Sequence, residues 1–147
     1  MSSRDLDTLY RQVIMDHYKN PRNRGEIEGD VRTINLNNPT CGDRVQVQME
    51  VKDGKVDRAL FTGEGCSISL ASASMMTQAV KGLSIDEALA LSTLFSNMMQ
   101  GKDYDDEAFD LGDIEALSGV TKFPARIKCA TLAWKALEKG LDENQSS

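Results

Sequence analysis

The chain is 147 residues long, enough for one core that hides roughly two thirds of the unfolded surface without a disulfide framework. With 40% apolar and 27% charged residues and no run near the roughly 20 apolar residues of a membrane span, it reads as a soluble protein with no membrane partner. Seventeen basic against 23 acidic residues leave a formal charge of −6, which removes nucleic acid as a leading partner because phosphate backbones need a basic face.

From Leu6 to Tyr18, the residues Leu6, Leu9, Tyr10, Val13, Ile14 and His17 or Tyr18 recur at three- and four-residue spacing, which predicts an amphipathic helix ending at Asn20-Pro21. This amino terminus lacks the basic start and continuous apolar core of a signal peptide, so the expected location is the cytoplasm. A basic, polar loop follows through Gly25, and VRTINLNN (31–38) alternates imperfectly as a first strand. Val45, Val47, Met49 and Val51 alternate with Gln46, Gln48 and Glu50, predicting a second strand with one buried and one wet face. Asp53-Gly54 supplies a tight hairpin turn, and KVDRALFTG (55–63) returns as the third strand.

Gly63-Glu64-Gly65 breaks that strand, and Cys66 opens an Ala- and Ser-rich helix predicted to end at Gly82 in a left-handed cap. Ser84-Ile85-Asp86-Glu87 has the spacing of a capping box and starts a helix running toward Gly101. The methionines Met75, Met76, Met98 and Met99 fall at helical spacing and are expected in the core. The acidic run Asp103 to Glu107 is expected as a solvated loop, with a short helix after Leu111-Gly112-Asp113 through Leu117. Phe123-Pro124 begins a last helix whose stripe Ile127, Ala130, Thr131, Trp134 and Leu137 ends at Gly140, leaving DENQSS as frayed tail. Together these elements give an α+β fold, a small three-stranded antiparallel sheet with helices packed on one face, in a single domain over 1–147 with an ordered core of about residues 6–140.

Three cysteines in a chain placed in the cytoplasm argue for reduced thiols. Each sits at the edge of an element: Cys41 in the turn before the clearest strand, Cys66 at a helix start, Cys129 one turn into the last helix. A helix amino terminus favours negative charge, and the thiolate is the form that binds metal or attacks an electrophile. With Asp43, the three thiols would satisfy tetrahedral zinc, although Cys-X-Asp spacing is by itself unspecific. Small buried apolar side chains are the other role open to such cysteines. Glycines at 42, 63 and 65, and the cost of burying Asp43 without a partner, favour a built site.

TCGD at 40–43, GEGCSIS at 63–69 and KCA at 128–130, after an opening LYRQVIMDHYKNPRN, resemble the IscU-like family of iron–sulfur assembly proteins, and within it the zinc-binding SufU branch. The likeness runs from about Leu6 to Gly140. It implies an IscU/NifU N-terminal-like fold with the cysteines gathered at one exposed end, and it implies that Cys41, Asp43, Cys66 and Cys129 hold one Zn2+. Cluster-building members carry a histidine before the third cysteine and a proline-rich chaperone-recognition motif nearby; here Lys128 and KFPARIK stand in those places. The stretch from Cys66 to Cys129 is also longer than in those members, as in SufU. His17, on the first helix, is expected to pack or cap rather than to react.

The resemblance therefore implies a zinc-dependent sulfurtransferase that takes persulfide sulfur from a SufS-type cysteine desulfurase and passes it toward downstream iron–sulfur assembly proteins. A thiolate committed to the metal is a poor nucleophile, so one ligand has to be released. Cys41, in a glycine-containing loop, is the expected catalytic persulfide acceptor, freed when the desulfurase supplies a replacement ligand. Arg126, one turn before Cys129, is spaced to pair with Asp43 once that carboxylate leaves the metal, or is a solvated helix charge. Lys128 would soften the negative charge of the ligand set. Two other functions stay open: a scaffold on which a [2Fe–2S] cluster is assembled, and a zinc-stabilised interaction adaptor.

Overall fold

The computed structural model describes residues 3–29, 31–38, 42–104 and 111–146, with side chains of the first and last helices described from Arg11 and up to Leu141. The elements follow in the order α1 (Ser3–Lys19), β1 (Arg32–Asn38), β2 (Asp43–Lys52), β3 (Lys55–Glu64), α2 (Ser67–Val80), α3 (Ile85–Met99), a 3-10 helix (Gly112–Lys122) and α4 (Pro124–Ser146). The sheet is a meander in the order β1-β2-β3, antiparallel throughout. Asp53 and Gly54 both take left-handed backbone, φ 54° and 76°, the combination a two-residue hairpin needs to match the twist of its strands.

Val45, Val47 and Met49 point to one face and are buried; α4 covers this face over β1 and β2, and α2 covers it over β3. Helix α1 packs on α2, and α3 on α4, so the helical layer lies on one side of the sheet. Phe95 of α3 and Trp134 of α4 stack with ring centroids 4.5 Å apart, and the indole N–H donates to Ser72 Oγ of α2 at 3.1 Å. Met75, Met76, Met98 and Met99 are all buried, as their spacing predicts.

The other face of β2 departs from the wet surface expected of it. Gln48 is buried because the loop after α1 folds across it: the Gln48 side chain accepts the Ile27 N–H at 2.8 Å and donates to the Ile27 carbonyl at 3.3 Å. The same loop seals the outer edge of β3, where Gly25 N–H donates to Phe61 O and Phe61 N–H to Asn23 O. Outer positions closer to the start of β2, such as Arg44, remain exposed.

Two glycines taken as helix ends serve other purposes. Gly82 (φ 86°) follows Lys81 (φ −59°, ψ 124°), and Leu83 N–H donates to Val80 O, so it is the third residue of a type II turn beyond α2 rather than a cap on the helix. Gly140 does not stop α4, which continues to Ser146, so the expected tail is helical through its penultimate residue. A Cβ at 140 would lie 2.7 Å from Met49 Cε, so Gly140 lets the helix approach the sheet closely. The short helix expected through Leu117 is a 3-10 helix reaching Lys122, with Ile114, Leu117 and Val120 on its buried side. The capping box of α3 is present: Ser84 Oγ accepts from Glu87 N–H and the Glu87 carboxylate from Ser84 N–H, each at 3.0 Å.

His17 is fully buried on α1, with Nδ1 2.8 Å from Ser74 Oγ and Nε2 2.7 Å from Asp113 Oδ2. The Asp113 carboxylate accepts from Nε2–H, and Nδ1 shares a hydrogen bond with Ser74 Oγ, which also accepts the Arg22 N–H. The histidine thus ties α1 to α2 and to the 3-10 helix. Among the described residues, no helix is long and apolar enough to cross a membrane.

Candidate metal centre

The sequence-predicted residues meet where three elements end. Asp43 is the first residue of β2, opposite Asn38 of β1; Cys66 is the N-cap of α2; Cys129 lies in the second turn of α4, which packs along α2. One carboxylate oxygen of Asp43 and the Sγ atoms of Cys66 and Cys129 lie within 4.8 Å of one another. Asp43 and Cys129 are buried, at 1% and 0% exposure, while Cys66 is half-buried, so the group opens to solvent on the Cys66 side. Cys41 lies outside the described residues, as do Asp105, Asp106 and Glu107 of the acidic run.

The carboxylate is held asymmetrically. Asp43 Oδ1 accepts the Cys66 N–H at 3.0 Å, which locks the start of α2 to the start of β2. Asp43 Oδ2 is buried without a hydrogen-bond partner among the described residues. Leaving a buried acceptor unsatisfied costs about 1–3 kcal/mol, more for a charged group, so such an atom beside two thiols calls for a cation. Two sulfurs and a carboxylate oxygen are the donor types of a zinc site, and a fourth donor completes the tetrahedron. The residues present therefore fit the ion that the resemblance implies.

Local sequence explains the approach. Gly65 has no positive φ, and its role is steric: a Cβ there would lie 2.6 Å from Ser69 Oγ and 3.0 Å from Asp43 Cγ, and would overlap Asp43 Oδ1. Ser69 Oγ donates to the Cys66 carbonyl at 3.0 Å, and Ser69 N–H points to Cys66 Sγ at 3.5 Å, so the cysteine sulfur itself caps the helix. From the sequence Gly65 reads as a strand breaker and as one of three glycines favouring a built site, while Ser69 falls within GEGCSIS without a role of its own. The signal available for Ser69 is its place three residues after an N-cap.

Arg126 is exposed on the first turn of α4 and faces the two thiols. The negative charge of Cys66 foremost, then hydrogen bonding to Cys129, holds its guanidinium above the ordinary arginine value. Its neighbours here are thus Cys66 and Cys129. Lys128 is exposed beside Cys129.

Residues 9–130 match the model of the NifU-like N terminal domain, and the chain belongs to that family. Two relatives align along almost all of it. It is 64% identical over 141 residues to the zinc-dependent sulfurtransferase SufU of Bacillus subtilis strain 168, covering 96% of this chain and 95% of that protein. It is 45% identical over 147 residues to the iron–sulfur cluster assembly scaffold protein IscU of Streptococcus pyogenes serotype M1, covering 100% and 91%. The crystal structure of a nitrogen-fixing NifU-like protein (N-terminal) from Brucella abortus shares the fold at 20% identity, with a TM-score of 0.85 over 96% of this chain and 97% of that one.

Proposed function

We propose that the chain is a cytoplasmic sulfurtransferase of iron–sulfur cluster assembly that carries one zinc ion and accepts persulfide sulfur on Cys41 from a SufS-type cysteine desulfurase. The observation that supports this most is the partnerless, buried Oδ2 of Asp43 beside the thiols of Cys66 and Cys129. Those three residues would hold the ion, with Cys41, two positions before Asp43, as fourth donor. Bound zinc would supply positive charge that keeps the thiols deprotonated and joins the ends of β2, α2 and α4. The identity to a zinc-dependent sulfurtransferase supports the same chemistry.

The chain's own groups have separable tasks. Asp43 fixes the Cys66 backbone through its N–H, and Arg126 presents a permanent positive charge to the two thiols. Cys41, whose position in the sequence falls between β1 and β2, is the group released for chemistry. Its thiolate attacks the outer sulfur of the donor persulfide; a bond forms from Cys41 Sγ to that sulfur, the donor S–S bond breaks, and the donor cysteine leaves as thiolate. No electrons are gained or lost overall. Downstream assembly proteins then take the sulfur from Cys41.

The 45% identity to a protein named as a cluster scaffold favours a second possibility, assembly of a [2Fe–2S] cluster on the same donors. Metal content separates the two. Anaerobically purified protein is expected to be colourless with about one zinc per chain, and a brown, iron-loaded protein would favour the scaffold. After incubation with desulfurase and cysteine, mass spectrometry should find the added sulfur on Cys41. Normal sulfur acceptance by Cys41→Ala would overturn the assignment, and a metal-bearing protein that takes no sulfur at all would leave the interaction adaptor.

A further inference from the structure

Sulfur acceptance on Cys41 gives the other two thiols no covalent chemistry of their own, yet they are close enough to react with each other. The Sγ atoms of Cys66 and Cys129 lie within 4.8 Å, and a disulfide closes that gap to about 2.0 Å. Groups of the chain itself fix both backbones. Asp43 accepts the Cys66 N–H and Ser69 donates to the Cys66 carbonyl, which holds the start of α2. Further along α2, Ser72 Oγ donates to the carbonyl of Ala130, the residue after Cys129, and accepts the Trp134 indole N–H. This buried clasp between α2 and α4 involves no metal donor, so it keeps the two cysteines together with or without an ion.

The two sulfurs differ in access. Cys66 is half-buried, caps the amino end of α2 and has the Arg126 guanidinium beside it, whereas Cys129 is fully buried. A partly exposed sulfur in positive surroundings is the kind that oxidants reach first. A second sulfur within reach turns the first oxidation product into a disulfide before it climbs to the irreversible acids. The third member of the group, the Asp43 carboxylate, has no such chemistry, so within the group one pairing is open.

We propose that Cys66 and Cys129 form an oxidation site for hydroperoxides, with Cys66 the sulfur attacked first and Cys129 the sulfur that resolves it. The inference goes beyond sulfur acceptance, and it rests on the zinc-bearing function proposed above only for the ion that is released. The Cys66 thiolate attacks one peroxide oxygen; an S–O bond forms, the O–O bond breaks, and the other oxygen leaves as alcohol, or as water from hydrogen peroxide. The Cys129 thiolate then attacks Cys66 Sγ; the S–S bond forms, the S–O bond breaks, and hydroxide leaves and takes up a proton. The two sulfurs lose two electrons and the peroxide gains them. Sulfurs joined to each other are no longer thiolate ligands, so the ion leaves and sulfur acceptance stops. In a compartment that keeps thiols reduced, such a disulfide is a transient, sensing state.

Hydrogen peroxide added to the anaerobically purified full chain tests the site, with zinc release followed by a chromophoric chelator and disulfides mapped by differential alkylation and peptide mass spectrometry. The expected result is loss of two of the three thiols, a disulfide between Cys66 and Cys129, and a Cys41 that still alkylates. About one zinc should be released per disulfide, and a dithiol with added zinc should reverse both changes. Cys41→Ala should form the same disulfide, and Cys129→Ser should stop at a Cys66 sulfenic acid that dimedone traps. A disulfide that includes Cys41, sulfinic acid on Cys66 without a disulfide, or intact thiols with zinc retained under excess peroxide would overturn the oxidation site and leave the zinc-bearing function standing. The expected disulfide in a chain purified without zinc would support the site and remove that function.

Discussion

Gly65 is the residue on which the metal centre is most sensitive to a single methyl group. Its missing side chain is what allows the Asp43 carboxylate and the Ser69 hydroxyl to share the space in front of Cys66. Gly65→Ala forces one of them aside, and because Asp43 is itself proposed to hold the ion, zinc affinity should fall by about 10–100-fold, the range seen when the surroundings of metal ligands are disturbed. Competition with a chromophoric chelator would measure this, and an unchanged affinity in both Gly65→Ala and Asp43→Ala would show that the carboxylate is not a ligand. The three cysteines and Asp43 could be singled out from the sequence because their residue types and neighbouring glycines suggest a site. The hydrogen bond from Cys66 to Asp43 could not, because it joins residues on different elements through a backbone N–H that every sequence offers. Arg126 was visible only as a charge one turn from Cys129; its orientation toward the thiols depends on how α4 meets α2.

At the scale of elements, two devices hold the scaffold under the site. His17, itself fully buried, joins three helical segments through hydrogen bonds to buried Ser74 and half-exposed Asp113, so His17→Ala should destabilise the fold by about 2–4 kcal/mol, combining a cavity with the lost partner of Ser74. Chemical denaturation would measure the loss, and a cost below about 1 kcal/mol would show the network to be dispensable. The capping box of α3 gives a pH dependence. The Ser84 N–H, foremost, holds the Glu87 carboxyl below its ordinary value, so its contribution is complete above the ordinary glutamate range and is lost as pH falls through the depressed folded value. Amide exchange in the first turn of α3 should therefore accelerate in acid, and Glu87→Gln, which keeps the acceptor but does not titrate, should remove that dependence.

Local chemistry made these elements legible: Ser84 and Glu87, Asp53-Gly54 and the alternation of β2 each specify geometry within a few residues. Gly82, Gly140 and Gln48 misled because what decides them is not local. Gly82 is set by a turn that returns to Val56, Gly140 by contact with Met49, and Gln48 by Ile27 arriving from a loop 21 residues away.

For the whole molecule, the sheet, α2 and α4 bring acidic and sulfur groups to one end, which a cation would hold together. Removing the metal should lower stability: at free zinc about 100 times Kd, linkage amounts to about 2.7 kcal/mol, or about 5–10 °C in melting temperature for a chain of this size. The most direct test of the central claim is intact-protein and peptide mass spectrometry after the zinc-loaded chain has been incubated with desulfurase and cysteine. One added sulfur atom on Cys41, absent from Cys41→Ala, is the predicted result. Sulfur found on Cys66 or Cys129 instead, or equal labelling of the Cys41→Ala variant, would contradict it.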